Sequence, residues 1–222
     1  MSYELLLTLL FEGTRDTLYM VGIASCIAFL LGMPLGVILS VTSEGGILRN
    51  GPLYNFLSLA VNIGRSAPFV ILMIALIPFT RAIVGTSIGK NAAIVPLSVA
   101  AIPFVGRVVE SSLREVDRGV VEAAQSMGAT PFEIIYKVLI PEGLPGIIAG
   151  ATLTVISLTG YSAMAGALGA GGLGDIAFRY GYQRFMTNVM IATIIILVLM
   201  VQIIQLLGDR LASAARHDRK DN

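Results

Sequence analysis

One polar loop carries the residues whose types and spacing most clearly indicate a function. Glu122-Ala-Ala is followed by three residues and Gly128, and Val138-Leu-Ile-Pro141 comes after nine more. No paired carboxylates, histidine cluster or activated nucleophile accompanies this pattern, so the chemistry that it offers is not covalent. A helix–Gly–helix pattern between strongly apolar segments indicates instead a surface that docks another protein.

Local signals predict two short helices in this loop. The first covers residues 119–127, whose apolar side chains recur at roughly helical spacing: Val120, Val121, Ala124 and Met127. Gly128 is suited to end that helix, since a left-handed cap costs glycine nothing. Thr130 then caps a second helix with Glu133 as its capping-box partner, and Pro141 is expected to stop it. The alternative is an amphipathic surface hairpin without a partner.

Arg65 is the one charged residue that we place deep inside an apolar segment. An ionisable side chain in the hydrocarbon core is costly, so it indicates a functional site by default. The carboxylate of a substrate would explain this guanidinium, which has Ser66 beside it. The alternative is that the apolar helix starts later, so that Arg65 snorkels to the cytoplasmic interface.

A second group of candidate pathway residues closes the fourth apolar segment: Tyr161, Ser162 and Met164. The side chain of Met164 is soft and adaptable, and would plug a pore lined by the small residues around it. The alternative is that these side chains pack in the core of a helix bundle.

Two glycine-rich stretches partly match nucleotide-binding motifs. Residues 169–174 follow G-x-G-x-x-G, but a dinucleotide site requires a preceding strand and a βαβ unit. We expect a flexible or close-packed turn there. Residues 85–91 approach a P-loop, yet one residue is missing between the glycines and Asn91 replaces the required Ser or Thr. We therefore predict no catalytic, cofactor-binding or metal-binding residue on this chain.

Other distinctive residues predict packing or solvent exposure. Cys26 is alone and is expected to pack, whereas His217 is expected to be solvated, since a zinc site needs about four ligands. Glycines four residues apart allow close helix approach, either in ordinary packing or in a dimer motif: Gly32–Gly36 and Gly146–Gly150.

The composition is that of a membrane protein. Of the 222 residues, 55% are hydrophobic and 13% are charged, whereas soluble domains carry about 25% charged residues. A helix needs about 20 mostly apolar residues to cross the hydrocarbon core. This requirement predicts an all-α protein that forms one transmembrane domain over residues 1–222. Its five predicted spans are residues 17–41, 53–80, 91–112, 143–164 and 186–211. The first eleven residues should form a separate amphipathic segment at the outer surface, and the tail after Arg210 should be short and frayed.

Lysine and arginine residues orient these spans. With the N-terminus outside, inner segments hold nine of these residues and outer segments hold five. This bias places the Glu122 loop, about residues 113–142, and the C-terminus in the cytoplasm. The near balance of 15 basic against 14 acidic residues gives no reason to expect nucleic acid as a partner.

The Glu122 loop resembles the EAA-x3-G-x9-I-x-L-P coupling loop of ATP-binding-cassette (ABC) importer permeases. Val138 and Ile140 stand where Ile and Leu are usual, and both are mild apolar changes. The resemblance implies the type I importer permease fold and contact with a separate ATPase. It also implies a set of coupling residues: Glu122, Ala123, Ala124, Met127, Gly128 and Pro141.

Other segments resemble one branch of that class, the permeases of bacterial methionine importers. Residues 77–89 and 160–174 carry this resemblance, and matching segments run along nearly the whole chain. The window around Arg65 also resembles the R-[SG]-x-P element in span two of amino-acid importer permeases. What this implies is an inner-membrane permease for L- and D-methionine that works by alternating access.

The same resemblance implies the partners. They are a second copy of the permease, two ATPase subunits that hold ATP and Mg, a methionine-binding lipoprotein, and membrane lipid. Three other functions remain open, namely a permease for another amino acid, an ion-coupled secondary transporter and a membrane enzyme. Against the second stands our expectation that no acidic or histidine proton relay lies within the five helices.

Overall fold

The computed structural model describes residues 3–217, and every regular element in that part of the chain is helical. Its α-helices are α1 (Tyr3–Thr42), α2 (Gly51–Ser66), α3 (Phe69–Ala75), α4 (Ile77–Val84), α5 (Lys90–Arg114), α6 (Arg118–Ser126), α7 (Pro131–Ile134), α8 (Ile140–Ala165), α9 (Gly172–Ile176) and α10 (Thr187–His217). Three π-helical turns accompany them: π1 (Ile135–Leu139), π2 (Gly166–Ala170) and π3 (Ala177–Tyr182). The predicted all-α class is confirmed.

The number of predicted spans agrees with these helices. Among the described residues, four helices are long and apolar enough to cross a bilayer, and α2 with α3 supplies a fifth if the pair is one bent span. The bounds differ from the prediction at four places, and each difference has a local physical cause.

The first difference is the length of α1, which begins at Tyr3 rather than near residue 17. Its 40 residues make it about 60 Å long, twice the hydrocarbon thickness of about 30 Å. The predicted separate segment over the first eleven residues is therefore wrong for residues 3–11. That stretch contains no glycine or proline, so nothing in it stops the helix.

The second difference is a break in the predicted span 53–80. α2 ends at Ser66, α3 begins at Phe69, and the chain bends by 101° between them. Pro68 accounts for the break, because it disfavours helical backbone in the preceding residue and is itself extended, with ψ at 129°. Both sides of the break are apolar, so the hydropathy pattern gives no sign of it.

The third difference lies at Pro141, which does not stop the second loop helix. α7, π1, α8 and π2 form one continuous candidate span over Pro131–Ala170. A proline ring normally clashes with the carbonyl four residues earlier, here Lys137. Lys137 lies in π1, where the wider turn changes the hydrogen-bond register directly before Pro141.

The fourth difference is at the C-terminus. α10 continues to His217, so the expectation of a frayed tail after Arg210 is wrong up to that residue. Residues 218–222 and the side chain of His217 lie outside the described part of the chain. The prediction that this histidine is solvated concerns that side chain and therefore stays a prediction.

The described residues divide into two compact units. The first takes its residues from Met1–Ile27, Ala67–Ala101 and Thr154–Gln205, and the second from Ala28–Ser66, Ile102–Leu153 and Leu206–Asn222. The first unit holds an apolar core of buried side chains: Leu10, Leu173, Ile176, Val189 and Met200.

Glycine lets the helices of the second unit approach closely. A Cβ added at Gly32 would lie 2.7 Å from the Cβ of Val105, and one at Gly36 would lie 2.5 Å from the Cβ of Val109. Added Cβ atoms at Gly146 and Gly150 would likewise collide with α5. These contacts are all within the chain, so both glycine pairs serve ordinary helix packing.

The glycine-rich stretch near residue 170 is a close-packed turn, as predicted. Gly169, Gly171 and Gly172 have positive φ values of 94°, 85° and 75°. Gly172 packs on Thr17, whose Oγ1 accepts a hydrogen bond from the Leu173 amide at 3.0 Å. The turn joins helices and has no strand before it, which excludes the dinucleotide-binding arrangement.

Candidate coupling site and translocation residues

The loop around Glu122 folds as two helices joined at Gly128. Asp117 caps α6, since its Oδ1 accepts a hydrogen bond from the Gly119 amide at 2.7 Å. At the other end the Gly128 amide donates to the Gln125 carbonyl at 2.9 Å, and the Ala129 amide donates to the Ala124 carbonyl at 3.1 Å. These two bonds form a Schellman motif, which requires the left-handed φ of 84° found at Gly128.

The second loop helix begins with the predicted capping box. The Thr130 amide donates to Glu133 Oε2 at 3.0 Å, and the Glu133 amide donates to Thr130 Oγ1 at 3.4 Å. Lys137 Nζ also reaches Glu133 Oε1 at 3.1 Å. The hydrogen bond from the Thr130 backbone, followed by those from Lys137 and the Thr130 side chain, lowers the pKa of Glu133 to about 2. This carboxylate is therefore ionised throughout the physiological range.

The outward surface of this loop is apolar and aromatic. We call it the docking face, and it consists of Val120, Met127, Phe132 and Tyr136, which are 41%, 82%, 76% and 67% exposed. If this loop lies in the cytoplasm, as predicted for about residues 113–142, its large exposed apolar side chains indicate a protein contact. Phe132 and Tyr136 were not among the predicted site residues, although their spacing of four residues on a helix capped by Thr130 places them on one side of it.

The predicted coupling residues divide between this surface and the packing beneath it. Glu122, Ala123 and Gly128 are exposed, whereas Ala124 is buried. Pro141 is exposed but lies ten residues beyond the start of α7, so it belongs to the base of α8 rather than to the loop tip. A cavity of about 210 Å³ is lined by α6, the end of α5 and the segment after α1, and Arg114, Arg118 and Glu122 contribute to this lining.

Arg65 lies in the last turn of α2, directly before the break at Pro68. Its side chain is exposed, and the guanidinium carbon lies 5.7 Å from the ring centre of Phe104. Among the described residues, no ion pair to Arg65 is found. The adjacent Ser66 donates its hydroxyl to the Asn62 carbonyl at 2.7 Å.

The second predicted pathway group lies in the first unit. Tyr161 is half-buried and stacks on Phe69 of α3 with ring centres 4.7 Å apart. Met164 is 49% exposed, whereas Ser162 is buried and donates to the Thr159 carbonyl at 2.7 Å. The hydroxyl of Ser162 is thus committed to its own helix.

A buried carboxylate in α5 was also missed. Glu110 is 1% exposed and accepts hydrogen bonds from Arg107 Nη1 at 2.6 Å and from the Tyr54 hydroxyl at 3.0 Å. The expectations that Arg65 is the one charge within a span and that no span contains an acidic residue are therefore wrong. Arg107, Glu110 and Arg114 follow each other at intervals of three and four, which is the helical spacing of ion pairs and was the available signal.

Comparison with known proteins now identifies the class. Residues 32–217 match the family model described as the inner membrane component of binding-protein-dependent transport systems. This match covers more than half of the chain, so the protein belongs to that family of membrane permeases.

Individual relatives cover nearly the full length. The chain is 56% identical over 209 residues to the probable D-methionine transport system permease protein MetI of Vibrio cholerae, covering 94% of this chain and 93% of that one. It is 46% identical over 203 residues to the methionine import system permease protein MetP of Bacillus subtilis, with 91% of each chain covered.

The fold agrees with these relatives. A chain of the MetNI methionine ABC transporter, from a structure of its inward-facing conformations, superposes with a TM-score of 0.94 at 50% identity, covering 97% of this chain and 99% of that one. A chain of an amino acid ABC transporter solved with histidines matches with a TM-score of 0.77 at 21% identity, over 93% and 94% of the two chains, and shows the shared fold. The predicted type I importer permease fold is confirmed.

Proposed function

We propose that this protein is the permease subunit of an ATP-driven methionine importer in the bacterial inner membrane. The observation that carries the proposal is the TM-score of 0.94 at 50% identity with a chain of the MetNI methionine ABC transporter. The relatives named for methionine transport support it over nearly their whole length. The chain would import L-methionine, D-methionine or both, as one transmembrane domain with its N-terminus outside and its C-terminus in the cytoplasm.

The importer would contain two copies of this permease and two ATPase subunits, and a methionine-binding lipoprotein would deliver the substrate. Chemistry is confined to the ATPase, which holds ATP and Mg. Closure of the ATPase dimer would move the coupling loops and switch the permeases from an inward-facing to an outward-facing state.

The docking face and the predicted coupling residues would form the contact with the ATPase. Met127 and Phe132 project from the two sides of the Gly128 turn, and both are more than three-quarters exposed. The Schellman motif and the capping box fix the angle between the two helices, so a displacement of the loop is passed on rather than absorbed. Glu122 and Ala123 would complete the contact, with Ala124 packing behind them and Pro141 at the base of α8.

Arg65 and the Tyr161 group would contact the substrate in transit. The guanidinium of Arg65 is exposed and has no acidic partner among residues 3–217, so it suits a carboxylate, which every amino acid carries. The exposed thioether of Met164 and the ring of Tyr161 suit an apolar, polarizable side chain such as that of methionine. Ser66 and Ser162 donate to backbone carbonyls, so their contribution would be to line the path with small side chains.

Uptake of labelled methionine tests the proposal in cells that lack only the gene for this permease and keep its ATPase and methionine-binding protein. We expect wild type to restore ATP-dependent uptake that unlabelled methionine outcompetes and other amino acids do not. The Gly128→Pro variant should abolish uptake, because proline lacks the amide donor and the positive φ of the Schellman motif. If wild type restores uptake of a different amino acid, the importer class stands and the methionine assignment is wrong. Uptake driven by an ion gradient without ATP would contradict the importer class itself.

A further inference from the structure

We propose that Glu110 is a positioning residue that transmits movement of the coupling loop to α2. The inference rests on the proposed function, because it assigns a role within the ATP-driven cycle. We call Glu110 together with Tyr54, Arg107 and Arg114 the Glu110 cluster, and all four residues lie in the second unit.

The carboxylate of Glu110 receives more bonds than helix packing requires. Arg107 Nη1 donates to Oε2 at 2.6 Å, the Tyr54 hydroxyl donates to Oε1 at 3.0 Å, and Arg114 Nη1 lies 3.6 Å from Oε1. The side chain of Glu110 is 2% exposed, against 23% for Arg107 and 51% for Arg114. A buried charge is tolerated only when such donors surround it, and an apolar residue would pack there at lower cost. The arrangement therefore specifies the relative position of the elements that it joins.

Those elements are α2 and α5. Arg107 extends the cluster, since its Nη2 donates to Ser58 Oγ at 3.0 Å and to Asn62 Oδ1 at 2.8 Å. Tyr54, Ser58 and Asn62 are spaced four residues apart and so form one row along α2. Arg65 follows three residues after Asn62, in the last turn of α2.

The other end of α5 leads directly to the coupling loop. Arg114 is the last residue of α5, and α6 begins at Arg118 after the Asp117 cap. The end of α5, the segment after α1 and α6 line one cavity of about 210 Å³, so α6 adjoins the end of α5. Motion of α6 would therefore reach α2 through α5 and the Glu110 cluster, and from there the turn that carries Arg65.

The test uses the whole importer, the permease assembled with its ATPase and reconstituted in liposomes with the methionine-binding protein. The readout is methionine imported per ATP hydrolysed. Glu110→Gln keeps an acceptor for Tyr54 but removes the charge that holds the arginines. We expect ATP hydrolysis to continue while the ratio falls at least about fivefold, because the arginines are no longer held and α2 is no longer fixed to α5.

Asp175→Asn is the matched control. Asp175 is also a nearly buried carboxylate with an arginine four residues later, Arg179, but this pair lies in the first unit and is not part of the Glu110 cluster. A general loss of stability would affect both variants alike, whereas the proposal predicts that the Asp175→Asn ratio stays within about twofold of wild type.

An unchanged ratio in an assembled Glu110→Gln complex would overturn the proposal. If that variant does not assemble, Tyr54→Phe decides, because it removes one hydroxyl and keeps every charge. We expect this variant to lower the ratio about twofold to threefold, and a wild-type ratio would overturn the inference. Absence of ATP-driven methionine import by the wild-type complex would instead contradict the proposed function, so the two failures are distinguishable.

Discussion

Glu110 and Arg65 are ionisable residues of apolar helices, and their surroundings differ in kind. Glu110 is enclosed and contacts two guanidinium groups and a hydroxyl, so its charge is balanced inside the chain. Arg65 lies exposed beside an aromatic ring, and none of the described carboxylates pairs with it. An uncompensated positive charge of this kind is expected to bind an anionic group from outside the chain, such as the carboxylate of a substrate.

Arg65 provides the prediction at this scale. Arg65→Gln should lower kcat/KM for methionine uptake at least about tenfold, because a hydrogen bond to a charged group contributes about 1.5–3 kcal/mol. Arg65→Lys should recover part of the loss, since it keeps the charge without the planar fork. Uptake kinetics in liposomes measure both variants.

Arg49→Gln is the control, because Arg49 is also an exposed arginine and its contact is a surface pair with Glu44. This variant should transport like wild type. Wild-type uptake by Arg65→Gln would favour the alternative in which Arg65 only anchors α2 at the membrane interface.

At the scale of elements, the sequence predicted what depends on neighbouring residues. The Gly128 cap and the Thr130 capping box each involve residues within five positions of one another, so their signals are complete in the local sequence. The all-α fold class and the number of spans were also predictable, because both depend on hydropathy over about 20 residues.

What escaped prediction depends on geometry that a hydropathy window does not contain. The break at Pro68 joins two apolar helices, and Pro141 is accommodated by a π turn. The bond from Tyr54 to Glu110 joins residues 56 positions apart, so only the fold brings them together. The same is true of the stack between Phe69 and Tyr161.

The capping box provides the prediction for an element. Thr130→Val removes the side-chain acceptor and should cost the start of α7 about 1 kcal/mol. Hydrogen exchange of the Glu133 amide, measured in the purified complex, should therefore be about fivefold faster. Thr8→Val is the control, because Thr8 only donates to the Glu4 carbonyl within α1. Unchanged exchange in Thr130→Val would show that packing, and not the cap, holds this helix start.

The same element has a defined pH dependence. The pKa of Glu133 is lowered from 4.5 to about 2. The ionised carboxylate therefore stabilises the start of α7 fully above pH 4.5, and this stabilisation is lost as the pH falls toward about 2. Protection of the Glu133 amide, corrected for intrinsic exchange, should thus be equal at pH 6 and pH 8. A rise or fall between these values would show that the Thr130 and Lys137 bonds do not form in the assembled importer.

At the scale of the whole molecule, function depends on which side of the membrane each end of the helices faces. The docking face can meet an ATPase only in the cytoplasm, where ATP is available. The positive-inside bias of nine basic residues against five predicts that orientation from the sequence. Two exposed side chains in predicted loops on opposite sides, Met127 and Phe185, allow a direct test.

Cysteine labelling of intact spheroplasts measures this orientation. In a Cys26→Ala background, Phe185→Cys should react with a membrane-impermeant maleimide, because Phe185 is 85% exposed in the turn before α10. Met127→Cys, at a position 82% exposed on the docking face, should react only after the membrane is opened and the ATPase is stripped from it. The Cys26→Ala protein without an added cysteine controls for background labelling. The reverse pattern would place the docking face outside, where no ATPase is present, and would contradict both the coupling role of the loop and the transmission through Glu110.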